Sequence, residues 1–286
     1  MKYVAVTMAY NEECYIEDTI KSVLGQTIPP DLYLIINDGS TDKTQEILEK
    51  YPVTSIIIDE PRYFLPTANM YRAITRGIDK VTQLVPDWDF LVKVDSDSRI
   101  SENYVADLIC NMQKQPNLGI SSGVMKGGKV WQGRASDGAK VYRRECWDDI
   151  GGLDPITHWD THAILKAYQK GWVVTSFQNL TYDEVRTHER EALREWYLTG
   201  ATRYYLGFPL YHTIGIGVVY CKKKPYFIGS LTMILTQLFY TLLRKKRVFD
   251  KDYYDFAKDY AYHETRARMK IILNTLLGRQ KLKDFR

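Results

Sequence analysis

The stretch Phe90-Leu91-Val92-Lys93-Val94-Asp95-Ser96-Asp97 places two carboxylates directly after a nearly continuous run of apolar residues. A run of this kind is typical of a strand in a parallel sheet, because such a sheet is covered on both faces. Ligands of open parallel sheets bind beyond the carboxyl ends of the strands. The stretch therefore predicts a buried strand that ends at a polar binding site.

Strand and helix patterns alternate on both sides of this stretch. Apolar residues at helical spacing separate the short apolar runs. This alternation predicts right-handed crossovers and an α/β fold in which helices flank a mostly parallel sheet. The runs that predict strands before and after it are residues 3–8, 32–36, 53–58, 120–125, 139–142 and 172–177.

Beyond about residue 192 the pattern is helical throughout. We therefore expect an α/β domain over residues 1–190 and a helical C-terminal extension over residues 191–286. The first predicted strand begins at Tyr3, too close to the N-terminus for a signal peptide, so we expect a cytoplasmic protein. The charges are balanced, with 39 Lys and Arg against 35 Asp and Glu, which argues against a nucleic-acid partner.

Polar residues follow two other predicted strands as well, in the segments 10–13 and 37–42. In extended backbone, residues i and i+2 point the same way, so Asp95 and Asp97 are able to face one cation. Carboxylates suit Mg²⁺ or Mn²⁺, which usually share their shell with substrate phosphates. Solvated acidic turns and a helix cap are the alternative for each segment taken alone. Their common position after three strands favours a binding site.

Three segments together carry a resemblance to a known family. They are Val6-Thr7-Met8-Ala9-Tyr10-Asn11-Glu12-Glu13, Ile36-Asn37-Asp38-Gly39-Ser40-Thr41-Asp42 and Val94-Asp95-Ser96-Asp97. At these spacings the chain resembles the inverting nucleotide-sugar glycosyltransferases of family 2, which have the Rossmann-like GT-A fold. The resemblance covers residues 3–190, and more loosely the tail.

The resemblance implies roles for particular residues. Asp97 and Asp95 would bind a Mn²⁺ or Mg²⁺ that neutralises the diphosphate, with His188 as a candidate third ligand; a surface histidine is the equal alternative for His188. Asn69 stands where some members place an arginine that contacts the base. The residues implied in nucleotide-sugar binding are Met8, Tyr10, Glu12, Asp38, Asn69, Asp95 and Ser96.

A second acid is needed to take the proton of the acceptor hydroxyl as it attacks the sugar. Family members usually carry a Glu-Asp pair at the corresponding point, and this chain has Trp159-Asp160-Thr161. The resemblance therefore implies that Asp160 is the catalytic base. A helix N-cap is the other role that suits an aspartate here, and the two roles are compatible.

The positive charge of the chain is concentrated around an uncharged segment. Basic residues at 222–224 and 244–247 bracket residues 225–243, whose apolar residues fall at helical spacing. A helix with basic ends suits an anionic membrane surface, and we expect membrane contact through residues 204–247. Packing of the apolar face on the catalytic domain and insertion across the bilayer remain alternatives.

The sequence thus predicts a metal-dependent inverting glycosyltransferase at the inner face of the cell membrane. It would transfer one sugar from a UDP or GDP sugar to a glycan or lipid-linked acceptor. The QxxRW motif of processive synthases is absent, since Arg194-Glu195-Trp196 does not match it. A binding module of the same fold is the non-enzymatic alternative. A sugar-phosphate nucleotidyltransferase would need a glycine-rich N-terminal loop, which Ala9-Tyr10-Asn11-Glu12 does not offer.

Overall fold

The structure is a computed structural model that describes residues 1–64, 66–128, 133–186, 193–221 and 223–276, with side chains described as far as residue 267. The chain divides into two compact units, residues 1–187 and residues 188–286.

The first unit is an eight-stranded sheet with helices on both faces. Its strands are β1 (Tyr3–Ala9), β2 (Leu32–Asn37), β3 (Thr54–Ile57), β4 (Phe90–Val94), β5 (Ser98–Ile100), β6 (Leu118–Met125), β7 (Ala139–Arg143) and β8 (Val173–Glu184). Its helices are α1 (Ile16–Leu24), α2 (Thr44–Leu48), α3 (Pro66–Leu84), α4 (Tyr104–Lys114), α5 (Arg144–Asp149) and α6 (Trp159–Gln169). The α/β fold predicted from the alternation is confirmed.

The sheet is more mixed than the sequence pattern predicts. Its strand order is β3-β2-β1-β4-β7-β6-β8-β5. The first four of these strands are parallel to one another, but β7 is antiparallel to both β4 and β6. The described residues between β6 and β7, 126–128 and 133–138, form no helix, and β7 runs back between β4 and β6. The predicted strand over 172–177 is also too short, because β8 continues to Glu184.

Both faces of the parallel strands are buried, which explains their nearly continuous apolar sequences. Along β1, Tyr3 and Ala5 pack in one core and Val4 and Val6 pack in the core on the opposite face. The first core lies under α1 and α4, and the second lies under α3 and α6. The sheet is therefore a rigid platform for the segments that follow its strands.

The second unit is helical, as predicted. Its helices are α7 (Leu193–Tyr205), α8 (Leu210–Tyr220), α9 (Phe227–Leu242) and α10 (Lys251–Leu276). Helices α7 and α9 approach closely at Gly200, where an added Cβ would lie 2.3 Å from the Met233 carbonyl oxygen. Within the described ranges no helix combines the length and the apolar character needed to cross a membrane.

Candidate active site

The polar segments after β1, β2 and β4 lie at one edge of the sheet. These strands are parallel neighbours, so their carboxyl ends point the same way. Hydrogen bonds join the first two segments: the Asp38 amide donates to the Ala9 carbonyl at 2.9 Å, and the Thr41 amide donates to Asn11 Oδ1 at 2.8 Å. The turn after β4 is held by α1, whose Thr19 hydroxyl donates to the Ser96 carbonyl at 2.8 Å. The sequence-predicted residues Tyr10, Glu12, Asp38, Asp95, Ser96 and Asp97 therefore lie at this edge of the sheet, which we call the cleft.

Asp38 is a buried carboxylate that two arginines hold. Arg72 Nη2 donates to Asp38 Oδ1 at 2.9 Å, and Arg62 Nη1 donates to Asp38 Oδ2 and, at 2.8 Å, to its carbonyl oxygen. The guanidinium of Arg62 also lies over the ring of Tyr10, 3.4 Å from its centroid. Tyr10 is 40% exposed, so the ring and the guanidinium form a flat, accessible surface beside a fixed carboxylate. A flat ring system with polar edges matches that surface by stacking and hydrogen bonding.

The side chain of Asn69 holds the backbone of the preceding loop. Its Oδ1 accepts from the Tyr63 amide at 2.8 Å, and its Nδ2 donates to the Tyr63 carbonyl at 2.9 Å. The guanidinium on α3 that reaches Asp38 belongs to Arg72, three residues after Asn69. Sequence reasoning missed both Arg72 and Arg62, although i,i+3 spacing would have put Arg72 on the same helix face as Asn69.

Met8 is partly buried in β1 and packs against the core that lies under α3. It pairs with Ile36 across the β1–β2 ladder, next to the strand ends. Its contacts are those of a core residue beside the cleft.

Asp95 and Asp97 lie in a tight turn, not in extended backbone. The Ser98 amide donates to the Asp95 carbonyl at 3.0 Å, which closes the turn. Each carboxylate has its own cationic neighbour: Lys93 Nζ lies 2.5 Å from Asp95 Oδ1, and Arg186 Nε lies 3.6 Å from Asp97 Oδ2. The extended backbone that we expected from Asp95 to Asp97 is therefore not present, although both carboxylates do lie at the sheet edge.

Arg186 connects two of the predicted site residues. Its guanidinium donates to Glu12 Oε2 as well as facing Asp97, and it lies over the ring of Tyr15, 4.9 Å from the centroid. Burial raises the pKa of Glu12, and the charge of Arg186 and a hydrogen bond from Ser96 only partly offset that shift. Sequence reasoning missed Arg186, which lies just after the end of β8. His188 lies outside the described residues.

Asp160 lies in the first turn of α6. His158 is the N-cap of this helix and Asp160 is its second residue, so the N-cap alternative for Asp160 was wrong. The carboxyl of Asp160 forms a hydrogen bond with the carboxyl of Asp137. Burial, and after it the charge of Asp137, raise the pKa of Asp160 well above its ordinary value.

Two lysines connect this carboxyl pair to the turn after β4. Lys140 Nζ lies 2.5 Å from Asp137 Oδ1, and Lys93 Nζ donates to the Asp137 carbonyl at 2.9 Å. Burial alone would raise the pKa of Asp137, but the charges of Lys140 and Lys93 hold that pKa below its ordinary value. Because Lys93 also contacts Asp95, it connects the two acidic parts of the cleft. The two lysines are each less than a tenth exposed.

Among the described residues, no three side chains of His, Cys, Asp or Glu converge as a ready metal site. The cleft contains the carboxylates of Asp95 and Asp97 at the turn, and the hydrogen-bonded carboxyls of Asp137 and Asp160. Such an arrangement is able to bind a cation through oxygen ligands and to accept a proton near neutral pH.

Comparison with known proteins places this arrangement in context. The sequence model of Glycosyl transferase family 2 matches residues 4–172. Poly-beta-1,6-N-acetyl-D-glucosamine synthase of Staphylococcus aureus (strain MSSA476) is 28% identical over 116 residues, which are 40% of this chain and 26% of the synthase. The matched segment thus spans about a quarter of that relative. Putative teichuronic acid biosynthesis glycosyltransferase TuaG of Bacillus subtilis (strain 168) is 48% identical over 46 residues, 16% of this chain and 18% of TuaG.

Solved structures share the fold at low sequence identity. The mannosyltransferase PcManGT from Pyrobaculum calidifontis, in complex with GDP-Man and Mn²⁺, aligns with a TM-score of 0.56 and 15% identity, over 98% of this chain and 81% of that one. S. aureus TarS 1-349 in complex with UDP-GlcNAc aligns with a TM-score of 0.55 and 18% identity, over 83% of this chain and 72% of that one.

Proposed function

The chain belongs to Glycosyl transferase family 2, and we propose that it transfers one sugar from a nucleoside-diphosphate sugar to a hydroxyl of a glycan or lipid-linked acceptor, with inversion at the anomeric carbon. The observation that carries the proposal is the connection, through Lys93 and Asp137, between the turn at Asp95 and the carboxyl of Asp160. In this proposal the turn at Asp95 is the site of the leaving diphosphate, and Asp160 is the proton acceptor.

Donor binding is assigned to the residues around Asp38. The buried carboxylate is an acceptor for an imide or amino edge of a base, and Tyr10 with Arg62 supplies a stacking surface beside it. The proposal also assigns donor binding to Glu12, Ser96 and Asn69, the last through its hydrogen bonds to the loop at Tyr63. The similar structures contain UDP-GlcNAc and GDP-Man, so uridine and guanosine donors are the first to test.

A divalent cation, Mn²⁺ or Mg²⁺, fits the residues at the turn. Asp95 and Asp97 supply hard oxygen ligands, and one or two carboxylates together with substrate phosphates are a usual shell for such an ion. Asp97 and Asp95 would hold it, with His188 proposed as a third ligand. When bound, the cation supplies neutralisation of the negative charge that develops on the leaving diphosphate.

Asp160 is the proposed general base. The acceptor oxygen attacks the anomeric carbon from the side opposite the diphosphate, the bond to the phosphate oxygen breaks, and the hydroxyl proton passes to Asp160. Attack on the opposite face inverts the configuration. A base is most effective when its pKa lies near the working pH, which fits the raised pKa of this carboxyl.

We further propose that the protein acts as a peripheral enzyme at the cytoplasmic face of the cell membrane. Support comes from the basic segments around α9 in the sequence. The similarity to a poly-beta-1,6-N-acetyl-D-glucosamine synthase and to a putative teichuronic acid biosynthesis glycosyltransferase supports a glycan as the acceptor class.

Asp160→Asn tests the assignment of the base. We expect nucleotide-sugar binding within about twofold of the wild type, and a transfer rate at least about a hundredfold lower, because base catalysis typically contributes that much. Asp148→Asn is the matched control, since it removes an exposed carboxylate paired with Arg144. If Asp160→Asn transfers sugar at the wild-type rate, Asp160 is not the base. If the wild-type protein itself binds nucleotide sugars but transfers none, a binding module is favoured.

A further inference from the structure

Helix α9 has its apolar side facing outward. Its buried residues are Gly229, Ser230, Met233, Thr236 and Gln237, whereas six of its large apolar side chains are more than half exposed. A helix on the surface of a water-soluble unit normally has the opposite arrangement. These exposed side chains therefore do not pack within the helical unit itself.

Hydrogen bonds fix this orientation of α9. Gln237 Nε2 donates to the Phe208 carbonyl at 2.6 Å, and Gln237 Oε1 accepts from the Thr213 hydroxyl of α8. Rotation of the helix to bury its apolar side would leave these buried polar groups without partners, which is costly. The outward apolar side is thus built into the packing of the unit.

The exposed side chains form one continuous row along the helix, which we call the outer stripe. Its members follow one another at intervals of one, three or four residues and are each more than half exposed. An apolar row of this length in water favours a partner that covers it. The outer stripe consists of Phe227, Ile228, Leu231, Leu235, Phe239 and Leu242.

Basic residues lie at both ends of the outer stripe. Lys223 and Lys224 precede it, and residues 244–247 follow it, all exposed. Residues 221–249 contain no Asp or Glu. The second basic segment is fixed in place, because the Tyr204 hydroxyl donates to the Lys245 carbonyl at 2.6 Å and the Arg247 guanidinium lies 4.3 Å from the centroid of the Tyr254 ring.

We propose that the outer stripe docks on an anionic lipid bilayer, with α9 parallel to the membrane plane. Apolar side chains enter the acyl boundary while the basic ends contact the lipid phosphates, as in interfacial helices. With 16 residues α9 is about 24 Å long, which is less than a bilayer core of about 30 Å. The proposal rests on the membrane location proposed above and names the surface that provides it.

Two sets of variants test the two parts of this surface in the full chain. Leu231→Ser, Leu235→Ser and Phe239→Ser together shorten the outer stripe, and the control changes two exposed apolar residues of the first unit, Ile28→Ser and Leu84→Ser. All five side chains are at least 43% exposed, and unfolding in urea checks that each variant keeps its fold.

The second set removes charge. Arg244→Gln, Lys245→Gln and Lys246→Gln are combined, and Arg247 is kept because it packs on aromatic rings. The matched control removes three exposed lysines of the first unit, and consists of Lys50→Gln, Lys114→Gln and Lys170→Gln.

The measurement is sedimentation with vesicles of phosphatidylcholine, with and without phosphatidylglycerol. We expect wild-type protein to bind only the anionic vesicles, and binding to weaken with salt. The charge variant should bind at least about fiftyfold more weakly and the stripe variant at least about tenfold more weakly, while both controls bind as the wild type does. Nucleotide-induced stabilisation of the same variants should be unchanged, which separates this proposal from the donor-site proposal.

Three results would overturn it. The first is failure of the wild type to sediment with anionic vesicles, and the second is normal binding by the stripe variant. The third is self-association without lipid that the stripe variant abolishes, since a second copy of the chain would then be the partner of the outer stripe.

Discussion

Replacement of Asp137 by asparagine probes how the cleft sets the protonation of Asp160. The two carboxyls share a hydrogen bond, and the negative charge of Asp137 is the second largest cause, after burial, of the raised pKa of Asp160. Asp137→Asn removes that charge but leaves Lys140 and Lys93 nearby. The loss of the Asp137 charge and the remaining positive charges both favour the ionised form of Asp160, so its pKa should fall.

The size of the fall follows from the geometry. Two unit charges about 4 Å apart interact by about 1 kcal/mol in water and about 4 kcal/mol near a protein surface. The Asp137 side chain is 58% exposed, so solvent screening favours the lower part of that range. We therefore expect the pKa of Asp160 to fall by about one unit, which corresponds to about 1.4 kcal/mol.

The assay is a ¹³C NMR titration of the aspartate carboxyls, with the Asp160 resonance assigned from Asp160→Asn. In the pH dependence of transfer, the same shift should move the rise in rate about one unit lower. Asp148→Asn should leave the titration of Asp160 unchanged. The double variant Asp137→Asn, Lys140→Met removes one negative and one positive charge near Asp160, so the pKa should fall by less than in Asp137→Asn. An unchanged or higher pKa for Asp160 in Asp137→Asn would refute the reasoning.

Two further predictions concern the metal site and the packing of the sheet. Arg186→Met removes the cation beside Asp97, so Mn²⁺ should bind the free protein several-fold more tightly by calorimetry; weaker binding would mean that the arginine positions the carboxylate. Gly77→Ala should lower the free energy of unfolding by about 1–3 kcal/mol in urea, because its Cβ would lie 2.4 Å from Ile36 Cδ1. No loss would show that β2 and α3 have room to separate.

The sequence predicted the parts of the fold that depend on local pattern. Nearly continuous apolar runs identified β1, β2 and β4 because strands buried on both faces have no alternation to obscure them. The polar segments after them were found because parallel neighbours end at the same edge. The antiparallel direction of β7 could not be predicted, since the apolar pattern of a strand does not show which strands it pairs with or in which direction.

The same reason explains what was missed in the site. Asp137 and Lys140 reach Lys93 only because β7 lies antiparallel beside β4, and Val94 pairs with Ala139. Arg186 reaches Glu12 across 174 residues of chain. Long-range ion pairs of this kind leave no periodic signal, whereas Asp160 was found through the resemblance to a family. The outward orientation of α9 also depends on its buried hydrogen bonds, which its apolar pattern does not record.

The most direct test of the account is the thermal stability of the protein with UDP, GDP, CDP or dTDP, each with and without Mn²⁺. We predict that one nucleotide raises the Tm only when Mn²⁺ is present. At about a hundred times its Kd it would stabilise the fold by about 2.7 kcal/mol. In Asp97→Ala this increase should disappear, while Asp148→Asn should keep it. A wild type that no nucleotide stabilises, or an Asp97→Ala variant that responds as the wild type does, would contradict metal-dependent donor binding at the strand ends.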